Sequence, residues 1–166
     1  MHDFRSQIAQ SAFMNAQVIQ EAITRGELRD SLCAVARFHG LDSYHMINAG
    51  HVAALLYCLI VVPWELWPLD SDDPIFRRLE ALGVLDRFEI RRWSTRPRKH
   101  PLRDFMRHLR NAVAHVRFDI DPDERFTFRD RKSRADSDNF VAYASLEDLA
   151  AFLSVAGREL ANLRNR

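Results

Sequence analysis

Residues 102–116, LRDFMRHLRNAVAHV, constrain the fold of this chain more than any other stretch. At about 100° per residue, Leu102, Phe105, Met106, Leu109, Ala112, Val113 and Val116 fall on one side of a helix. Asp104, His108, Asn111 and His115 fall on the other, between about 180° and 240°. Arg103, Arg107 and Arg110 form a cationic edge between about 80° and 140°. An apolar stripe this clean must be buried, so the spacing predicts an amphipathic helix docked on a core with a polar face turned away from it.

The remaining pattern is also mostly helical. Apolar residues recur at three- and four-residue steps from Phe4 to Thr24. Gly26 interrupts, and a second helix is expected over 27–38, ending at Gly40. A third, capped by Asp42 or Ser43, should run to about Val62 and stop at Pro63. Residues 64–72 read as a loop. Asp73-Pro74 starts another helix that ends at Gly83. Residues 85–93 read as a short helix, and 94–100 as a polar basic loop. After residue 116, Phe118 and Ile120, then Phe126 and Phe128, alternate with polar residues around the turn cluster 121–124, which reads as a β-hairpin. Residues 130–138 read as a charged, flexible loop, and 139–144 as a possible third strand. Ser145 and Asp148 have capping-box spacing ahead of a final helix. With 5 glycines and 6 prolines in 166 residues, few turns are encoded. The expected fold is mainly α: a helical bundle with a small C-terminal β-hairpin or three-stranded appendage, in one domain spanning 1–166.

Composition excludes several classes. The net charge is +1, yet residues 87–110 hold nine basic residues against Glu89 and Asp104. Such a local stripe attracts phosphate even in a nearly neutral chain. Cys33 and Cys58 lack zinc spacing and make no disulfide framework, which suits a cytoplasmic location. The N-terminus lacks a signal-peptide core. The most apolar run, 52–62, is shorter than the roughly 20 residues a membrane span needs, so no membrane association is expected. His39, His45 and His51 do not share a helix face, no metal-binding or nucleotide-loop motif occurs, and no metal or cofactor is implied. Trp64, Trp67 and Trp93 could stack on bases, but core packing is their commoner use.

Arginine and histidine without metal suit phosphodiester cleavage in RNA. A histidine can take the 2′-hydroxyl proton or give one to the leaving 5′-oxygen. An arginine can hold the phosphate and offset charge in the transition state. Arg110 and His115 fit those roles, with Asn111 orienting the phosphate or the imidazole. They lie about 140° apart around the axis. Either Arg110 reaches a shared groove, or two copies of the helix face each other in a symmetric dimer. Spacing alone is weak, since chance supplies about one such pair and the chain has two, Arg103–His108 and Arg110–His115. A solvated helix face is the plain alternative.

The segment LRNAVAHVRF resembles the signature helix of the HEPN superfamily, in which an arginine, a polar residue and a histidine sit on a late helix of an all-α bundle. The resemblance implies a metal-independent endoribonuclease, a toxin or phage-defence component, acting as a homodimer with a composite active site. Arg110, Asn111 and His115 would be the catalytic set, and Arg103, Arg107, His108 and Arg117 would contact RNA. An antitoxin or other regulatory protein would be a partner. In one HEPN group a tyrosine stands two positions after the histidine; here that position is Arg117, so control through such a tyrosine is not expected. The hairpin is no part of the minimal bundle. Two other readings remain open: a non-catalytic RNA- or partner-binding regulatory module, and a structural subunit docking through 52–62.

Overall fold

Three kinds of local signal set the helix ends. The computed structural model describes residues 7–45, 48–66, 73–94, 101–133 and 135–161. Helix α1 (Gln7–Thr24) ends where Gly26 adopts φ 75° and the Glu27 N–H bonds to the Ala22 carbonyl. Helix α2 (Arg29–Phe38) ends the same way at Gly40. These are left-handed caps that glycine adopts without strain. Helix α5 (Pro74–Ala81) starts as its sequence predicts, with Asp73 accepting the Ile75 N–H at 2.9 Å and Pro74 in the first turn. Ser145 accepts the Asp148 N–H at 3.0 Å and starts α7 (Leu146–Ala161).

The third helix differs from expectation at both ends. Asn48, rather than Asp42 or Ser43, caps α3 (Ala49–Leu56) by accepting the His51 N–H at 3.0 Å. Pro63 does not stop the helix. A π-helical turn (Tyr57–Val61) follows α3, closed by a Val62 N–H to Tyr57 carbonyl bond, and α4 (Val62–Leu66) continues through the proline. The wider π turn relaxes the ladder just where proline lacks a donor and crowds the preceding turn. Trp64 therefore lies in a helix, with its ring against Phe76. The rest of the expected 64–72 loop, Trp67 included, lies outside the described residues apart from Glu65 and Leu66.

The β part is larger than an appendage of two or three strands. Residues 85–93 are not a helix: a 3₁₀ turn (Val84–Arg87) leads into β1 (Glu89–Trp93). With β2 (Phe118–Ile120), β3 (Phe126–Asp130) and β4 (Phe140–Ala144), it forms a four-stranded antiparallel sheet in the order β1-β4-β3-β2. A register irregularity between Ile90 and Arg92 hid β1, because it places two exposed arginines in succession and breaks the alternation. On β3, Phe126, Phe128 and Asp130 face inward; on β4, Phe140, Ala142 and Ala144 do.

Helix α6 (Pro101–Ala114) is the junction of the two parts. It packs against the π-helical turn and against β3. Leu102, Phe105, Met106, Leu109, Ala112 and Val113 are buried, as the stripe requires. Phe88 ties strand to bundle, its ring 4.7 Å from Phe105 and 5.2 Å from Phe152 of α7. Each large apolar side chain buried here contributes about 1.5–3 kcal/mol. Among the described residues no helix is long and apolar enough to cross a membrane.

The contact of α7 with α1 and the π turn depends on a missing side chain. A Cβ on Gly157 would lie 2.9 Å from Leu59 Cδ1 and 3.1 Å from the Phe13 ring. Gly157→Val should overpack this contact and lower stability by about 1–3 kcal/mol. Urea unfolding checks it; an unchanged midpoint contradicts this account.

Candidate nucleic-acid site on helix α6

The polar face of α6 is not simply solvated. His108 and Asn111 point at the sheet, and the sheet answers with one carboxylate. Asp130, the last residue of β3, is 4% exposed, and His108 is 1% exposed. Asp130 Oδ2 accepts from Asn111 Nδ2 at 3.1 Å and lies 2.7 Å from His108 Nδ1. Asp130 Oδ1 accepts from Arg117 Nη1 at 3.3 Å and from the Arg131 backbone N–H at 2.9 Å. The His108 ring stacks on Phe140, 4.8 Å away and nearly parallel. Its Nε2 is 3.2 Å from Arg107 Nη2. Nδ1–H donates to the Asp130 carboxylate, which only accepts, while Nε2 lies between Arg107 and, at 3.4 Å, the Asp104 carboxylate.

Burial alone would raise the Asp130 pKa. Hydrogen bonds from His108 and Asn111, the charge a protonated His108 brings, and the Arg131 N–H outweigh it and hold this carboxyl below its ordinary value.

Arg110 and Asn111 form one unit. Arg110 Nη1 donates to Asn111 Oδ1 at 2.9 Å, and Arg110 Nη2 pairs with Glu65 of α4. His115 stands apart. Its backbone N–H closes the helix on the Asn111 carbonyl at 3.0 Å, and its exposed ring has no hydrogen bond or ion pair among the described residues. The helix ends at Ala114, short of the expected 116. Val116 takes φ 51° as the left-handed cap, with Arg117 N–H bonded to the Ala112 carbonyl at 2.7 Å. This is the same closure that Gly26 and Gly40 give α1 and α2, made here by a β-branched residue at a cost of about 1–2 kcal/mol. The closure turns the chain so that Arg117 reaches Asp130.

The expected RNA contacts divide. His108 is a correction: it is covered by Phe140 and Asp130 and presents no surface to RNA. This follows from the sheet covering a face that periodicity alone left open. Arg117 bonds to Asp130 and, at 3.0 Å, to the Arg131 carbonyl, and stays partly exposed. Arg107 bonds to Asp104, which also accepts from the Trp93 indole at 2.8 Å. Arg103 is half-buried, and its Nε has no partner among the described residues. In the basic stripe, Arg91 pairs with Glu89 and Arg92 donates to the Asp138 carbonyl, while Arg96, Arg98 and Lys99 lie outside the described residues. Sequence reasoning missed Asp130 and Glu65. It placed Asp130 in a loop, although the alternation Phe126, Phe128, Asp130 puts it on the inward face of a strand. No local signal marks Glu65.

A family model described as HEPN pEK499 p136 matches residues 3–161. The chain belongs to this HEPN family. The comparison with curated proteins returns no match, and neither does that with solved structures. In this chain the late helix α6 carries Arg110 and Asn111, and His115 follows its last residue. In this HEPN chain that helix is clamped by a four-stranded sheet.

Because its folded pKa is depressed, Asp130 contributes stability that is fully present above the pKa of the unfolded carboxyl, about 3.9, and is lost as pH falls through the lower folded value. The difference in unfolding free energy between wild type and Asp130→Asn should be constant above about pH 5 and shrink below about pH 4. Urea unfolding across this range checks it; a difference that widens in acid contradicts the depressed pKa.

Proposed function

We propose that this HEPN chain is a metal-independent endoribonuclease, a toxin or phage-defence component working as a homodimer with a composite active site. The observation that carries the reading is Arg110, anchored by Asn111 on one nitrogen and holding the Glu65 carboxylate on the other, five residues ahead of an exposed His115. A guanidinium that binds a carboxylate oxyanion is shaped to bind a phosphate oxygen in its place. Among the described residues no hydrogen bond joins the side chains of Arg110 and His115 within one chain. The dimer reading requires a second copy facing α6 to bring further basic and imidazole groups to the site.

In the reaction so assembled, His115 takes the proton from a ribose 2′-hydroxyl. The 2′-oxygen attacks the adjacent phosphorus, and the bond from phosphorus to the 5′-oxygen breaks. Arg110 offsets the charge on the non-bridging oxygens. A protonated imidazole, the same residue of the second copy, returns a proton to the 5′-oxygen. The products are a 2′,3′-cyclic phosphate and a 5′-hydroxyl.

His115→Ala should lower cleavage of mixed RNA by about 100-fold or more while leaving the fold intact. Cleavage should survive EDTA, and light scattering should give twice the 19.4 kDa chain mass. A folded, active His115→Ala protein sinks the reading. Dimers without cleavage would instead support a non-catalytic RNA- or partner-binding module, a reading favoured by the Glu65 carboxylate already seated on Arg110. Glu65 is more than half exposed, so its pair is weak, and Glu65→Gln should tighten RNA binding about two- to fivefold. Fluorescence anisotropy measures this; unchanged or weaker binding means that Glu65 does not occupy the phosphate position.

A further inference from the structure

We propose that Asp130 is the positioning residue of the Arg110–Asn111 pair, fixing through the Asn111 amide the direction in which Arg110 meets phosphate. This rests on the ribonuclease reading for its consequence in catalysis, though not for its geometry. The connection is a single line of bonds. Asp130 Oδ2 accepts from Asn111 Nδ2 at 3.1 Å, and Asn111 Oδ1 accepts from Arg110 Nη1 at 2.9 Å. Arg110 Nη2 is left as the outward edge, where Glu65 now sits.

The Asn111 amide has two orientations related by a half-turn. The alternative would set its oxygen against the Asp130 carboxylate and its N–H₂ against the arginine N–H, two repulsive contacts in place of two attractive ones. Asp130 therefore selects the orientation that gives Arg110 an acceptor. Asp130 cannot swing away, because Arg117 and the Arg131 N–H hold its Oδ1, and His108 shares its Oδ2. His108 is in turn held by the Phe140 ring and Arg107. Arg110 thus inherits its attitude from the end of β3, an element that supplies nothing else to the site. Asp130 acts through Asn111 and touches no substrate.

The test is a double-substitution cycle in the full chain, read as kcat and KM for RNA cleavage at a temperature where every variant is folded. Asp130→Asn should lower kcat about 10- to 100-fold, the loss that a misplacement of order 1 Å produces. In an Asn111→Ala background, the same Asp130→Asn change should cost less than about twofold, because the route to Arg110 is already cut. Full kcat in folded Asp130→Asn, or losses that multiply in the double variant, overturns the proposal. A second measurement needs no variant to fold. In the wild-type protein the Asn111 side-chain amide should show one proton shifted downfield and slow to exchange, as a carboxylate-bonded N–H requires. A freely exchanging Asn111 amide overturns the proposal. If wild type and His115→Ala are equally inert towards RNA, the ribonuclease reading fails, and the Asn111 amide decides the positioning proposal by itself.

Discussion

A carboxylate taken out of water between a helix and a sheet costs several kcal/mol unless its lone pairs are filled. Asp130 fills them with four donors from three elements of the chain: His108 and Asn111 on α6, Arg117 at the exit from that helix, and the backbone of Arg131 beyond β3. The buried part of the polar side of α6 is organised around this one group. It buries a histidine that would otherwise be a surface residue. It fixes an asparagine that would otherwise be free to flip. It also docks a sheet that is no part of a minimal helical bundle.

The arginines of the chain are widely matched with acids. Arg107 has Asp104, Arg110 has Glu65, Arg117 has Asp130, and Glu89 takes both Arg91 and Arg125. These pairs are not equivalent. The Asp130 pair is shielded and hydrogen-bonded, so breaking it leaves an orphaned charge. The Glu65 pair has an exposed partner and is screened by salt and water, so exchanging it costs little. Burial thus sorts one set of arginine contacts into those that hold the fold and those that can be exchanged.

Much of the helical framework was legible in the sequence because its signals are local. The stripe from Leu102 to Val113, the Asp73-Pro74 start, the Ser145 cap and the glycine stops each act within four or five residues. The hairpin of β2 and β3 was legible from alternation. What stayed hidden was non-local or irregular. Ile90 and Trp93 sit on either side of a register break, so β1 did not alternate. Pro63 reads as a stop unless the π turn before it is known. His108 and Asn111 read as surface residues, because nothing near them announces a strand that arrives with Asp130 about twenty residues later. The adjacency of Arg110 and Asn111 was visible; their partners at positions 65 and 130 were not.

The order of residues at the end of β3 has a consequence for folding fidelity. Asp130 is flanked by Arg129 and Arg131, and pairs across the sheet with Phe140. A strand that slips by one position turns every side chain to the opposite face. Such a slip would carry a guanidinium into a pocket whose walls are His108, the Asn111 amide protons and Arg117, all donors with nothing left to accept. The misregistered sheet would therefore be expelled by charge as well as by the loss of its phenylalanines. The alternation of arginine, aspartate and arginine thus favours the one alignment that sets Asp130 against Asn111.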